Sequence, residues 1–198
     1  HVESPEGVRV ALENGVDSIE HGAKIDDAMI QLFKERGAFL CTTISPALPY
    51  AFFDRSITNA TEVEQYNGKI VFEGIVDCSK AAIANGIPVV LGNDVGCPWI
   101  TQYDFWRELY YFHKYVGVPN AFTLYTATLR SAELAGIGAI TGSIQKGKSA
   151  DMIVTAGNPL EDLRALRNLE MVFAGDTVIE HPKVKKRKQV EAELDKYL

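Results

Sequence analysis

Apolar and polar positions follow two rhythms in the first half of the chain, and the rhythms alternate. Ser4-Pro5-Glu6 joins a capping side chain to a proline at the first helical position. Val8, Ala11 and Leu12 then recur at helical spacing up to Asn14-Gly15. GVDSIEHG reads as a short strand, with Val16, Ser18 and Glu20 on one face and Asp17, Ile19 and His21 on the other. Asp26 caps a second helix with Met29, Ile30 and Phe33 on its apolar side, and Gly37 follows its end. AFLCTT is a continuous apolar strand, as expected where both faces are covered. Residues 44–65 hold Pro46, Pro49, Tyr50, Phe52 and Phe53 with little periodicity, which predicts a long connection of the kind that binds something. A helix is predicted over 67–85, IPVVLGND is another buried strand, and two further helices are predicted near 101–116 and 119–135.

The pattern changes after about Gly138. GSIQKGKSADMIVTAGNPL and MVFAGDTVIE read as short strands with Gly-rich turns. Alternating strands and helices predict parallel strands with right-handed crossovers, and the later segment predicts a small separate β element. The division that follows is an α/β portion over residues 1–137, a β segment over 138–181 and a terminal helix and tail over 182–198.

Length and charge narrow the function classes. A chain of 198 residues can bury one sizeable core, with or without a small appendage. The net charge of -6 argues against a nucleic-acid or anionic-membrane surface, since both need a basic face. The one basic run, residues 183–188, precedes Glu191, Glu193 and Asp195 and reads as a solvated terminal helix. Cys41, Cys78 and Cys97 are odd in number and lack C-x-x-C spacing, which argues against a disulfide framework and for a reducing, cytoplasmic setting. No apolar run approaches the roughly 20 residues a membrane span needs. The chain opens on His1 rather than Met, close to a helix start, and further sequence upstream is expected.

Three polar residues fall at predicted strand ends. His21 ends one strand, Asp94 ends another, and His1 lies one βα unit before His21. In a (β/α) barrel, catalytic groups converge at those ends because the βα loops open there. Two neutral imidazoles and a carboxylate suit a divalent metal such as zinc, with a position open for water. Asp94, beside the metal, can take a proton from that water and pass it to a leaving amine. Each residue has a plainer role open to it: a strand-end histidine often serves structure, and Gly-Asn-Asp is a common turn.

HVESPEGVRVALENGVDSIEHG resembles the fifth and sixth barrel strands of the amidohydrolase superfamily, and VVLGNDVG resembles its eighth. The segment from GSIQKGKSADMIVTAGNPL to MVFAGDTVI resembles the family's C-terminal return to its β-sandwich. The nearest branch is the imidazolonepropionase-like and prolidase-like group, whose members hydrolyse amide bonds in dipeptides and related compounds. The resemblance implies an α/β fold: the second half of a metal-dependent hydrolase (β/α)8 TIM barrel plus C-terminal strands of a small β-sandwich. It implies metal ligation by His1, His21 and Asp94, with Asp94 also the catalytic acid/base, and one or two divalent ions, zinc foremost, in the complete enzyme. The family's His-x-His pair on strand one and carboxylated lysine on strand four lie outside this chain, and Asn93 stands where threonine is usual.

Tyr50 and Trp99 are candidates for substrate contact, while Phe52, Phe53 and Tyr66 either wall a pocket or anchor their segment. Trp106 and His113 sit in a helical aromatic stretch and read as packing or surface; His181 reads as exposed. Cys97 lies near Asp94, but the harder ligands suffice without it. The leading expectation is hydrolysis of a small or dipeptide-like substrate. A deaminase or cyclic-amide hydrolase on the same scaffold is the runner-up. A non-catalytic half-barrel that associates with itself or with a missing N-terminal half is the third reading.

Overall fold

A computed structural model describes residues 1–198. The chain divides into two compact units, His1–Gln102 and Tyr103–Leu198.

The first unit is built on a three-stranded parallel sheet: β1 (Ser18–Glu20), β2 (Phe39–Thr42) and β3 (Val89–Leu91), in that order. Ile19 pairs with Leu40, and Cys41 with Val90. The segment before β1 adds a single parallel bridge, Val2 to His21. Two capped helices cover the sheet's early strands. In α1 (Pro5–Glu13), Ser4 Oγ accepts from the Gly7 N–H; in α2 (Asp27–Arg36), the Asp26 carboxylate accepts from the Met29 N–H. Val8 and Leu12 of α1, and Met29, Ile30 and Phe33 of α2, are buried, as the helical spacing predicts. Each such burial contributes about 1.5–3 kcal/mol. Leu40, Val89 and Val90 are buried too, consistent with strands covered on both faces.

Residues 44–65 are not the predicted open connection. They form α3 (Ile44–Phe52), α4 (Arg55–Thr58) and the start of α5 (Glu62–Ala84), which begins at Glu62 rather than 67. The prolines misdirect the reading. Pro46 occupies the first turn of α3, where its missing N–H has no intrahelical partner to lose. Pro49 lies inside the helix, and the chain tolerates it in a helix of about two and a half turns. Seven of the nine α3 residues are buried, so the helix has no polar stripe to show a period. The start of α5 carries a capping box, with the Thr61 hydroxyl accepting from the Glu64 N–H and the Glu64 carboxylate accepting from the Thr61 N–H.

The second unit begins with α6 (Phe105–Tyr111), which runs on through a π-turn at Phe112–Val116. Helix α7 (Asn120–Tyr125) passes through another π-turn at Thr126–Arg130 into α8 (Ser131–Leu134). Strands β4 (Met152–Thr155), β5 (Leu169–Ala174) and β6 (Thr177–Glu180) form an antiparallel sheet, closed between β5 and β6 by the tight turn at Gly175-Asp176. These are the short strands predicted after Gly138. Trp106 is buried, as its helical spacing suggests, and His181 is exposed.

The terminal helix differs from the solvated one predicted. The basic run leads into α9 (Lys188–Leu194), in which Glu191 is buried while Glu193 stays partly exposed. Arg107, only 1 % exposed, reaches Asp195 at 2.7 Å, Glu191 at 3.4 Å and Asp104 at 3.5 Å. Arg167 binds Glu191 and Asp195, each at 2.9 Å. Both guanidinium groups lie over the Trp106 ring, at 4.5 and 5.4 Å. Burial works to raise the Asp195 carboxyl, but hydrogen bonds from Arg107 and Arg167 outweigh it and hold it below its ordinary range. Glu191 is likewise held low: burial opposes, and the bond with Asp104 and the two arginine charges prevail. No helix in the chain is long and apolar enough to cross a membrane.

Candidate metal centre

All three predicted ligands lie in the first unit, and the fold brings them together. One ligand atom each of His1, His21 and Asp94 lies within 4.8 Å of the others. His21 leaves the end of β1, Asp94 follows β3 on the far side of β2, and His1 precedes the Val2 bridge, so the side chains come from separate strand tips. His1 Nδ1 and His21 Nε2 face each other at 2.8 Å.

The backbone is shaped for this meeting. His21 has φ 71° and Asp94 φ 52°, left-handed conformations that cost a residue with a Cβ about 1–2 kcal/mol. Flanking strands hold the turn at His21: its N–H donates to Cys41 O at 3.0 Å, and the Gly22 N–H donates to Val2 O at 3.0 Å. His21 is buried, Asp94 partly so, and His1 exposed, which leaves the cluster open on one side.

Two contacts were not legible in the sequence. The Thr43 hydroxyl lies 2.5 Å from His21 Nδ1, the ring nitrogen turned away from the cluster. Cys97 Sγ–H donates to Asp94 Oδ2 at 3.1 Å. Burial, with the hydrogen bond and charge of Asp94, pushes the Cys97 thiol up to about 11. In the sequence Thr43 carries only the weak signal of a polar residue at the end of β2, and Cys97 only its nearness to Asp94.

The donor set fits a divalent cation. Two imidazole nitrogens and a carboxylate oxygen lie within 4.8 Å of one another, close enough for one ion to meet all three.

Of the substrate-contact candidates, Tyr50 stands partly exposed on α3, and Trp99 (φ 73°) packs edge-on against Phe53 with ring centroids 5.1 Å apart. An open cavity of about 780 Å³ lies beside them, lined by Phe52, Phe53, Arg55, Asn59 and Gln65 among others. Neither Tyr50 nor Trp99 is among its walls. Phe53 itself is buried, so it anchors the segment, while Phe52 and Tyr66 are exposed.

A parallel α/β sheet with polar groups gathered beyond the carboxyl ends of its strands is the arrangement of α/β enzymes, whose sites lie there. The chain belongs to the amidohydrolase family, whose pattern it matches over residues 1–179. It is similar to a solved candidate prolidase from Bifidobacterium longum, with 37% identity and a TM-score of 0.96, over 99% of this chain and 50% of that one. It is also similar to a solved Xaa-Pro dipeptidase with methionine bound in its active site: 30% identity, TM-score 0.78, over 91% of this chain and 44% of that one. Among characterised sequences it is 24% identical over 173 residues to ochratoxinase of Aspergillus niger, covering 87% of this chain and 35% of that protein. The chain thus spans half or less of the length of these relatives. Prolidase-like and ochratoxinase-like amidohydrolases are thus among the chain's relatives.

Proposed function

We propose that this chain contributes half of a metal-dependent hydrolase that cleaves the amide bond of a dipeptide-like substrate. In this reading the chain forms the second half of a (β/α)8 barrel with strands of a β-sandwich. His1, His21 and Asp94 are the metal ligands, and zinc is the metal their chemistry favours. The observation that carries the reading is the convergence of those three side chains from separate strand tips to within 4.8 Å.

When bound, a divalent metal supplies Lewis acidity that makes water nucleophilic at neutral pH. The residues divide the remaining work. His1 Nδ1 and His21 Nε2, 2.8 Å apart, would hold the cation through their lone pairs. Asp94 accepts a proton from the attacking water on a carboxylate oxygen and returns it to the departing amine nitrogen. The Cys97 hydrogen bond to Oδ2 restrains the carboxylate's rotation, leaving Oδ1 for that exchange. Tyr50 and Trp99 contribute to substrate contact from α3 and from the loop after Asp94.

The test is a panel of Xaa-Pro dipeptides, N-acyl amino acids and cyclic amides offered to the complete gene product, with zinc or with chelator. Release of a free amino acid with zinc, abolished by chelator and by Asp94→Asn, is expected. Turnover indifferent to chelator, or confined to cyclic amides, contradicts the reading. A second role, in assembly, is favoured by the exposed Ile153, Val178 and Ile179 of the β4–β6 sheet. A monodisperse monomer in light scattering contradicts that role.

A further inference from the structure

From the surroundings of His21 we infer that Thr43 is a positioning residue, which fixes the hydrogen of His21 on Nδ1 and so keeps Nε2 free as a ligand. The inference rests on the metal-site reading above and adds a residue to it. A histidine binds a metal through an unprotonated nitrogen, and which nitrogen is free is set by the bond the other one makes. Here His21 Nε2 faces His1, and His21 Nδ1 meets the Thr43 hydroxyl. With Nδ1–H donating to Thr43 Oγ1, the Nε2 lone pair points into the cluster.

Two independent observations show the hydroxyl committed to this task. Thr43 occupies the N-cap of α3, where a threonine side chain ordinarily accepts from the first turn's N–H groups, yet it makes no cap hydrogen bond. The hydroxyl of a buried Thr43 is given to His21 instead. Gly92 then fixes the rotamer. A Cβ built on Gly92 would meet Thr43 Cγ2 at 3.2 Å and Cys41 Sγ at 2.9 Å, so the Thr43 methyl fills space that only glycine leaves. Because threonine is stiff at χ1, seating its methyl over Gly92 directs the hydroxyl to the imidazole.

Two readouts on the full chain test this. Nitrogen-15 NMR of the metal-free protein at about pH 8, where imidazole is neutral, reports which ring nitrogen of His21 carries hydrogen. Zinc affinity follows from competition with a chromophoric chelator. The wild type and Thr43→Ser should hold the hydrogen on Nδ1. Thr43→Val, similar in shape but without the hydroxyl, should give a tautomer mixture and zinc binding weaker by roughly ten- to a hundredfold. If the valine variant does not fold, Thr43→Ser against Thr43→Ala repeats the comparison. Hydrogen on Nε2 in the wild type overturns the inference, as does zinc affinity indifferent to loss of the hydroxyl. A wild type that binds no zinc, with His21 hydrogen on Nδ1, overturns the metal reading while supporting the tautomer assignment.

Discussion

Replacing Gly22 with alanine puts a methyl group where the first unit has no room for one, one residue after a proposed metal ligand. Gly22 has φ +88°, and a Cβ there would lie 2.9 Å from Cys78 Sγ, 3.0 Å from Leu40 Cδ1 and 3.3 Å from Cys78 Cβ. The left-handed backbone alone costs an alanine about 1–2 kcal/mol. Crowding into a packed core adds about 1–3 kcal/mol, because Cys78 is fully buried on α5 and cannot swing away. Gly22→Ala should therefore destabilise by about 2–5 kcal/mol, read as a lower urea midpoint at unchanged m-value. Cys78→Ala removes the nearest obstructing atom. In the double variant the crowding part of the loss should be recovered, giving a favourable coupling of about 1 kcal/mol or more. A loss below about 0.5 kcal/mol for Gly22→Ala, the ordinary scatter of surface substitutions, refutes the geometry. Strict additivity with Cys78→Ala refutes the crowding argument alone.

The second unit yields a pH prediction. Asp195 and Glu191 have folded pKa values below their ordinary ones, so the stability they supply is present above that range and is lost as pH falls through the folded values, below about pH 4. Asp195→Asn should flatten the fall of the urea midpoint in that acid range. Arg107→Met removes the cation shared by Asp104, Glu191 and Asp195 while Arg167 still holds the last two, and should cost about 3 kcal/mol, the low end for a buried pair because that second cation remains and Asp195 is partly exposed. In the first unit, Asp26→Ala should lower the melting temperature through loss of the α2 cap, and Arg9→Ala less, since the Arg9–Asp26 pair is solvent-exposed; equal melting-curve shifts contradict this ranking. Burial pushes the Cys78 thiol up to about 12, so a thiol reagent should label it only at the rate of global unfolding.

What the sequence disclosed depended on how local the signal was. Helices α1 and α2 were legible because each has a capping side chain, an amphipathic stripe and a stop within about ten residues. Strands β2 and β3 were legible as short apolar runs ending in polar residues. Helix α3 is hidden because its residues are nearly all apolar and mostly buried, which erases the polar stripe, and its prolines imitate a loop. The Thr61–Glu64 capping box is a local signal for the start of α5. In the site, His1, His21 and Asp94 stood out as strand-end residues of the right chemistry. Thr43 did not, because its role comes from a tertiary contact across 22 positions and from the space at Gly92. The terminal helix hides its role for a similar reason: its carboxylates read as solvated, and Arg107, 88 positions upstream of Asp195, reaches that residue only in the fold.

The central claim is that residues 1, 21 and 94 converge to hold one cation. Zinc anomalous scattering from crystals of this protein grown with the metal tests it most directly. The account predicts a peak at about 2.0–2.2 Å from His1 Nδ1, His21 Nε2 and an Asp94 carboxylate oxygen, lost in His21→Ala. A strong peak elsewhere with none at these strand tips, or a peak that survives that substitution, would contradict it.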